Sequence, residues 1–361
     1  MRTALEAIAA HRKLCLQIVV TGMHLDRTHG EGLKAIRGEG WRVDAVVRWP
    51  AGSGASGTKL ASATGSAVAG IARSLDRLQS DIVLVTGDRV EAFAAAAAGH
   101  LSGRIVAHVH GGDRAVGQVD DSLRHAITKL AHIHFPATAQ SARRIARLGE
   151  DAWRIHCVGS PGNDGIAEAA RGLFTFPHGR GAGAGDPYAV IVLHPCDGDA
   201  DVEQRRAEAV LAGVRKAAVN RVVIIYPNND PGCAGIIRAW QRHRRDTGVT
   251  LFRDLPRRQY LGLLRGAAVL VGNSSSGIIE GPALRVPVVD VGDRQKGRQR
   301  SGSVVHASYN ASDIGRAVGR AMRRRPGGAN IYRGQGAGER IARVLADVRL
   351  DERLGRKLIC Y

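Results

Sequence analysis

Short β-branched apolar runs alternate along this chain with longer stretches of helical periodicity, and no other feature restricts the fold as much. The runs cover residues 16–20, 82–86, 105–109, 133–136 and 155–158, then 189–193, 222–226, 269–271 and 286–291. A strand with one wet face alternates apolar and polar residues, whereas a strand covered by helices on both faces reads as one continuous apolar run. The pattern predicts an α/β fold with parallel sheets. A length of 361 residues, 44% of them hydrophobic, is enough for two Rossmann-like domains with their own cores. The glycine- and proline-rich stretch 176–187 predicts the linker between a first domain over 1–175 and a second over 188–335, with a separate C-terminal segment over 336–361. A glycine/serine stretch at 52–57 predicts a mobile loop, and the alanine run 94–98 a structural helix.

The charge balance, 52 Lys+Arg against 33 Asp+Glu for a formal +19, favours anionic partners. Much of the excess is arginine scattered along helical faces, as at Arg316 and Arg320, and aromatic residues are only 4%. A nucleic-acid reader needs stacking platforms or a recognisable module, and neither is present, so no nucleic-acid partner is expected. Five widely spaced cysteines without paired-ligand spacing predict reduced thiols and a cytoplasmic location. No apolar stretch reaches the length of a membrane helix, and Glu6 sits where a signal peptide would be apolar, so a soluble protein without a membrane partner is expected.

The polar residues that carry chemistry follow the strands. Val269–Val271 leads into Gly272, Asn273, Ser274, Ser275, Ser276 and Gly277 and then a helix, the design of an anion site at a helix N-terminus. By itself this is equally well read as a serine N-cap run. Three more strand ends in this half carry His194, Asn228 and the cations Arg294, Lys296 and Arg298, with Glu280 one turn into the helix after the serines. Arg294 suits bidentate contact with a pyrophosphate, and Glu280 suits ribose hydroxyls. In the first half, Asp88 and Arg89 end one strand, and His108, His110 and Asp113 end the next. A helix then opens with Asp120 and Asp121, one turn before Arg124 and His125. Polar clusters converging at strand ends favour a site over ordinary helix pairs.

The stretches 108–129, 272–277 and 292–298 together closely resemble the hydrolysing UDP-N-acetylglucosamine 2-epimerases of sialic acid biosynthesis, with 21–25, 331–332 and 360–361 fitting as well. This resemblance implies a glycosyltransferase-B-like architecture with a cleft between two Rossmann-like domains and a C-terminal helix crossing back to the first. It also implies a UDP-sugar substrate, a homo-oligomer such as a dimer or tetramer, and no cofactor or metal. Matched residue by residue, Arg89, His194, Asn228, Ser274, Ser275, Glu280 and Arg294 would bind UDP. Asp88, His110, Asp113, Asp120, Asp121 and Arg124 would form the catalytic stretch.

The implied chemistry removes the proton on sugar carbon 2 with loss of UDP, and water then adds to the 2-acetamidoglucal. That needs a positioned base and strong stabilisation of the departing diphosphate. Asp88, Asp113 and Asp121 are the candidate bases, with the division into acid and base open. Asp113 stands where the family carries glutamate. The chain opens at a helix, 3–11, where the family opens with a strand and an arginine loop, so the first strand of the first domain is expected to be missing. Three other readings stay open: the same reaction on a UDP-2,4-diacetamido-trideoxyhexose, a non-catalytic UDP-sugar-binding protein, and a metal-dependent hydrolase built on His108 and His110.

Overall fold

The computed structural model describes residues 1–25, 32–48, 57–114, 120–172, 174, 187–324, 327, 330–332 and 335–360. Apart from Pro187 and Gly57, the expected linker and the expected glycine/serine loop lie outside these residues. The chain divides into two compact units, one of Met1–Asp164 with Tyr332–Tyr361 and one of Gly165–Ile331.

The helices in chain order are α1 (Arg2–Ala10), α2 (Gly32–Gly38), α3 (Gly57–Leu78), α4 (Val90–Leu101), α5 (Asp120–Leu130), α6 (Ala139–Arg147) and α7 (Ile166–Ala169). They continue as α8 (Ala200–Lys216), α9 (Cys233–Arg242), α10 (Arg257–Gly266), α11 (Ser275–Ala283), α12 (Ala311–Arg323), α13 (Ala337–Asp347) and α14 (Glu352–Gly355). The first unit's strands are β1 (Val19–Thr21), β2 (Ala45–Val47), β3 (Ile82–Thr86), β4 (Ile105–Val109) and β5 (Ile133–Phe135). Those of the second are β6 (Tyr188–Val192), β7 (Arg221–Ile225), β8 (Val249–Phe252), β9 (Val269–Gly272), β10 (Val288–Val291) and β11 (Val304–Ala307).

In the second unit all six strands run parallel in the order β11-β10-β9-β6-β7-β8. Counted from β6 this is the doubly wound order 3-2-1-4-5-6, whose direction of winding reverses between β6 and β9. Strands β6, β7, β9 and β10 are buried on both faces, as their continuous apolar runs require. Ile191, Val222, Ile224, Val271 and Val289 enter the core shared with α8, α9 and α12, while Val190, Val192, Val223, Leu270 and Val288 enter the opposite core with α10.

In the first unit β3-β4-β5 form one parallel sheet and β1-β2 a separate parallel pair among the described residues. Val83, Val85 and Val106 pack with α3, α4 and α5, and the alanine run of α4 contributes the buried Ala94, Ala96 and Ala98 to that core. Ile105, Ala107, Val109, Ile133 and Phe135 pack on the other face with Ala4 and Ile8 of α1 and Ile341, Ala342 and Leu345 of α13. Helix α13 lies tightly on α1: a Cβ at Gly338 would stand 2.6 Å from the carbonyl carbon of Thr3.

Three expectations about strands are corrected. The run 16–20 is paired only over Val19–Thr21, because the Ile18 N–H donates to the Asp44 carboxylate (2.8 Å) rather than to a neighbouring strand. The run 155–158 makes a single bridge, Ile155 to His134, and no strand. Strands β2, β8 and β11 were not expected: each is three or four residues long, and β8 and β11 are only half-buried over most of their length.

Candidate functional site

The second unit gathers polar groups at the carboxyl ends of β6, β7, β9 and β10, around the point where its winding reverses. Asn273 is the node. Wholly buried, it accepts from the main-chain N–H of His194 at 2.7 Å and donates Nδ2 to the His194 carbonyl at 2.8 Å. The same Nδ2 donates to Tyr309 Oη at 3.1 Å and approaches Cys196 Sγ at 3.3 Å. Its own carbonyl accepts from Gln295 Nε2 at 2.9 Å and Arg294 Nη1 at 3.4 Å. One asparagine thus ties the loops after β6 and β10 to the serine turn after β9. Burial pushes the Cys196 thiol and the Tyr309 phenol up, so both stay protonated and neutral beside it.

His194 has a defined tautomer. Its Nδ1 accepts from the Asn228 main-chain N–H at 3.0 Å, so the neutral ring carries its proton on Nε2, a donor suited to an anion. The loop beyond His194 is held by Glu203, fully buried, which accepts from the N–H groups of Cys196 and Asp197 and from Arg206, each at 2.7 Å. The Asn228 side chain donates to Asp230.

Ser274 caps α11 through its side chain, accepting from the Ser276 N–H at 3.3 Å, and Ser275 is the first helical residue. The positive end of α11 therefore lies at the carboxyl end of β9, with Arg294 bonded to the same turn. Glu280 is held by Arg257 at 2.5 Å and by Ser276 Oγ at 2.5 Å, and Tyr260 Oη lies 2.6 Å from that hydroxyl. A carboxylate so held keeps lone pairs for further donors. Lys296 is exposed and faces Asp293 at 3.8 Å, and Arg298 donates to Gln295 Oε1 at 2.9 Å.

Asp290 at the end of β10 is 1% exposed, with Arg300 at 2.6 Å and His306 at 4.0 Å. Burial pushes its carboxyl up to about 6, against the pull of those cations. A carboxyl raised in the folded state costs stability as pH climbs from its unfolded pKa to its folded one. Asp290→Asn is therefore expected to raise the melting temperature at pH 7 and to leave it unchanged below about pH 4. An equal shift at both pH values in thermal melts would refute this assignment.

The first unit gathers the other set at the ends of β3 and β4 and the start of α5. Arg124 is 1% exposed and is the hub: it forms an ion pair with Asp88, donates to the Asp113 carbonyl at 3.1 Å, and lies 3.5 Å from Asp121. Asp121 also faces His125 at 3.6 Å, and Asp120 opens the helix beside it. Asp113 is buried, accepts from Ser141 Oγ at 2.7 Å, and stands 3.6 Å from His110 Nδ1. His110 Nε2 meets Ser160 Oγ at 3.1 Å, and its backbone is in the left-handed region (φ +63°), a strained conformation for a histidine. Arg89 pairs with Glu91 at 3.3 Å in this same unit. His108 points elsewhere: Nε2 meets the Gly87 carbonyl at 2.8 Å and Nδ1 meets Thr128 Oγ1 at 3.2 Å, and burial holds its ring neutral with a pKa of about 3. Among the described residues no three His, Cys, Asp or Glu side chains are grouped to hold a metal ion, and no helix is long and apolar enough to cross a membrane.

Gln295, Tyr309, Ser141 and Ser160 carry no expectation from sequence, and Asn273 stands there only as part of the serine turn, because nothing in a sequence tells that an amide turns inward. Ser141 and Ser160 reach the site from elements with no motif of their own.

Two α/β units with parallel sheets, each with polar groups at its strand ends, place the chain in the Rossmann-like class of fold. The profile of the family described as UDP-N-acetylglucosamine 2-epimerase matches residues 6–346, and the chain belongs to that family. It is 33% identical over 328 residues to a UDP-N-acetylglucosamine 2-epimerase of Neisseria meningitidis serogroup B, covering 89% of this chain and 83% of that protein. It is also 33% identical over 320 residues to a UDP-N,N'-diacetylbacillosamine 2-epimerase (hydrolyzing) of Legionella pneumophila, covering 86% and 82%. Its fold is that of a solved UDP-GlcNAc 2-epimerase from Neisseria meningitidis bound to UDP-GlcNAc (TM-score 0.77, 16% identity, 95% and 94% covered). The Methanocaldococcus jannaschii UDP-GlcNAc 2-epimerase in complex with UDP-GlcNAc and UDP shares it too (TM-score 0.70, 17% identity, 91% and 99% covered).

Proposed function

We propose that this chain is a hydrolysing UDP-N-acetylglucosamine 2-epimerase that converts UDP-N-acetylglucosamine and water to N-acetylmannosamine and UDP, as supply for sialic acid synthesis. The observation that carries the reading is the anion site of the second unit, where the α11 N-terminus, the His194 Nε2 donor and Arg294 are fastened to one buried asparagine. The groups assigned to UDP, apart from Arg89, all belong to the second unit; those assigned to the sugar belong to the first. Binding of UDP-GlcNAc and UDP by the solved relatives supports it.

In this reading a carboxylate among Asp88, Asp113 and Asp121 takes the carbon-2 proton. The C–H electrons form the carbon 1–carbon 2 double bond, and the glycosidic carbon–oxygen bond breaks with its electron pair leaving on UDP. Arg294 and the α11 end stabilise that charge. Water then adds its hydroxyl to carbon 1, and carbon 2 takes a proton from the opposite face. Arg124 pairs with Asp88 and lies 3.5 Å from Asp121, which holds both carboxylates in place beside the reacting carbon.

Arg294→Ala is expected to weaken UDP binding by about tenfold or more, and Asp121→Asn to keep UDP affinity while losing most turnover. Calorimetric titration with UDP and steady-state kinetics check both; equal activity in the two variants and the wild type would sink the site assignment. The second reading, the same reaction on a UDP-2,4-diacetamido-trideoxyhexose, draws on the identical 33% identity to the Legionella protein. Competition between the two UDP-sugars separates them by kcat/KM.

A further inference from the structure

The chemistry above leaves one buried charged cluster of the first unit unused. The Glu150 side chain is fully buried, and its carboxylate meets Lys129 Nζ at 2.6 Å, His134 Nε2 at 3.0 Å and Lys357 Nζ at 2.7 Å. Lys357 comes from the tail after α14, and its side chain is 8% exposed. Its ammonium also donates to the carbonyls of Lys129 (2.6 Å), Ala131 (2.7 Å) and Thr128 (3.1 Å). Those oxygens sit at the end of α5, where a helix leaves its last carbonyls without intrahelical partners and favours a cation.

The tail that brings Lys357 there is itself strapped down. Arg154, 2% exposed, donates to the carbonyls of Leu354 (2.8 Å), Arg353 (2.9 Å) and Arg356 (2.8 Å), and the Cys360 N–H donates to Gly149 at 3.0 Å. Helix α5 is also the element whose first turn carries Asp120, Asp121 and Arg124. About 12 Å of rigid helix separates the two ends, so an axial slip at one end is felt in full at the other.

We propose that Lys357 is a positioning residue for the catalytic helix: it closes the C-terminal end of α5 and so fixes the reach of Asp121 and Arg124, without touching substrate. This rests on the reading of the Arg124 cluster as the place of the sugar chemistry. The charged form has three hydrogens for the carbonyls and Glu150, and the neutral form two. Burial brings the Lys357 pKa down to about 8 despite the Glu150 carboxylate, with Lys129 and Arg154 also pushing it down. His134, the remaining titratable group facing Glu150, is itself kept neutral by burial. The grip therefore loosens above about pH 8, within an assayable range.

The test compares Lys357→Met and Lys357→Arg with Leu345→Ala, which weakens a core of the same unit that contains no α5 residue. Lys357→Met is expected to lower kcat about tenfold with KM and UDP affinity unchanged, Lys357→Arg to restore it, and the fall in kcat above pH 8 to be absent from Lys357→Arg. Amide exchange should speed up along α5 in Lys357→Met and not in Leu345→Ala. A kcat loss no greater than that of Leu345→Ala at matched melting temperature, or α5 exchange unchanged, would overturn the proposal. If the wild type does not turn over UDP-N-acetylglucosamine, the functional reading fails on its own, and the α5 exchange still decides the role of Lys357.

Discussion

Replacing Arg124 by methionine is expected to lower kcat about a thousandfold while UDP affinity stays within about twofold. The guanidinium is almost wholly buried and serves three acidic or carbonyl partners at once, Asp88, the Asp113 main chain and Asp121. Methionine fills much of the volume but removes the cation from beside Asp88 and Asp121, so the candidate bases lose the group that positions them. Breaking a buried pair by removing one partner costs about 3–5 kcal/mol, so a lower melting temperature accompanies the kinetic loss. The UDP groups other than Arg89 belong to the other unit, so UDP titration should barely change. Steady-state kinetics with calorimetry read both numbers; a kcat within tenfold of wild type would remove Arg124 from the centre of the account.

Gly272→Ala is expected to destabilise the second unit by about 3 kcal/mol or more and to abolish UDP binding. Its φ of +142° lies where side chains are excluded, and a Cβ would stand 2.0 Å from the Val192 carbonyl oxygen, a backbone atom that cannot step aside. Val192 and Gly272 are register partners at the seam between β6 and β9, so the strain falls at the point where His194 and Asn273 diverge from the sheet. Against a total stability of roughly 5–15 kcal/mol the loss is severe. Gly198→Ala in the same unit meets nothing within 4 Å and is the control, expected to be close to neutral. Thermal melts with and without UDP distinguish them, and a Gly272→Ala protein that melts and binds like the control would show that the seam tolerates a side chain.

The α/β class was legible because strands buried on both faces leave an unbroken apolar signature: 82–86 and 105–109 coincide with β3 and β4 residue for residue. Strands at edges leave less. The segment Val249–Phe252 is half-buried throughout and, among the described residues, pairs with β7 alone, so no long apolar run marks it. The pairing of Arg124 shows a similar limit. Helical spacing foresees Asp121 near His125, and that contact forms, but Arg124 also pairs with Asp88, thirty-six residues away on another loop. The role of Asn273 depends on an amide turned inward against three loops, and that of Lys357 on a contact between residues 226 or more apart. Such roles are set by tertiary placement, which local pattern does not carry.

Whether the proposed hydrolysis of UDP-N-acetylglucosamine with inversion at carbon 2 takes place is read directly by one NMR experiment. The purified 361-residue chain is incubated with UDP-N-acetylglucosamine in deuterium oxide, and the anomeric and phosphorus signals are followed. Free N-acetylmannosamine carrying deuterium at carbon 2 is expected, together with an equimolar amount of UDP. Retention of the sugar on UDP, with only the 2-epimer appearing, or an unchanged substrate at high enzyme concentration would contradict the proposed hydrolysis.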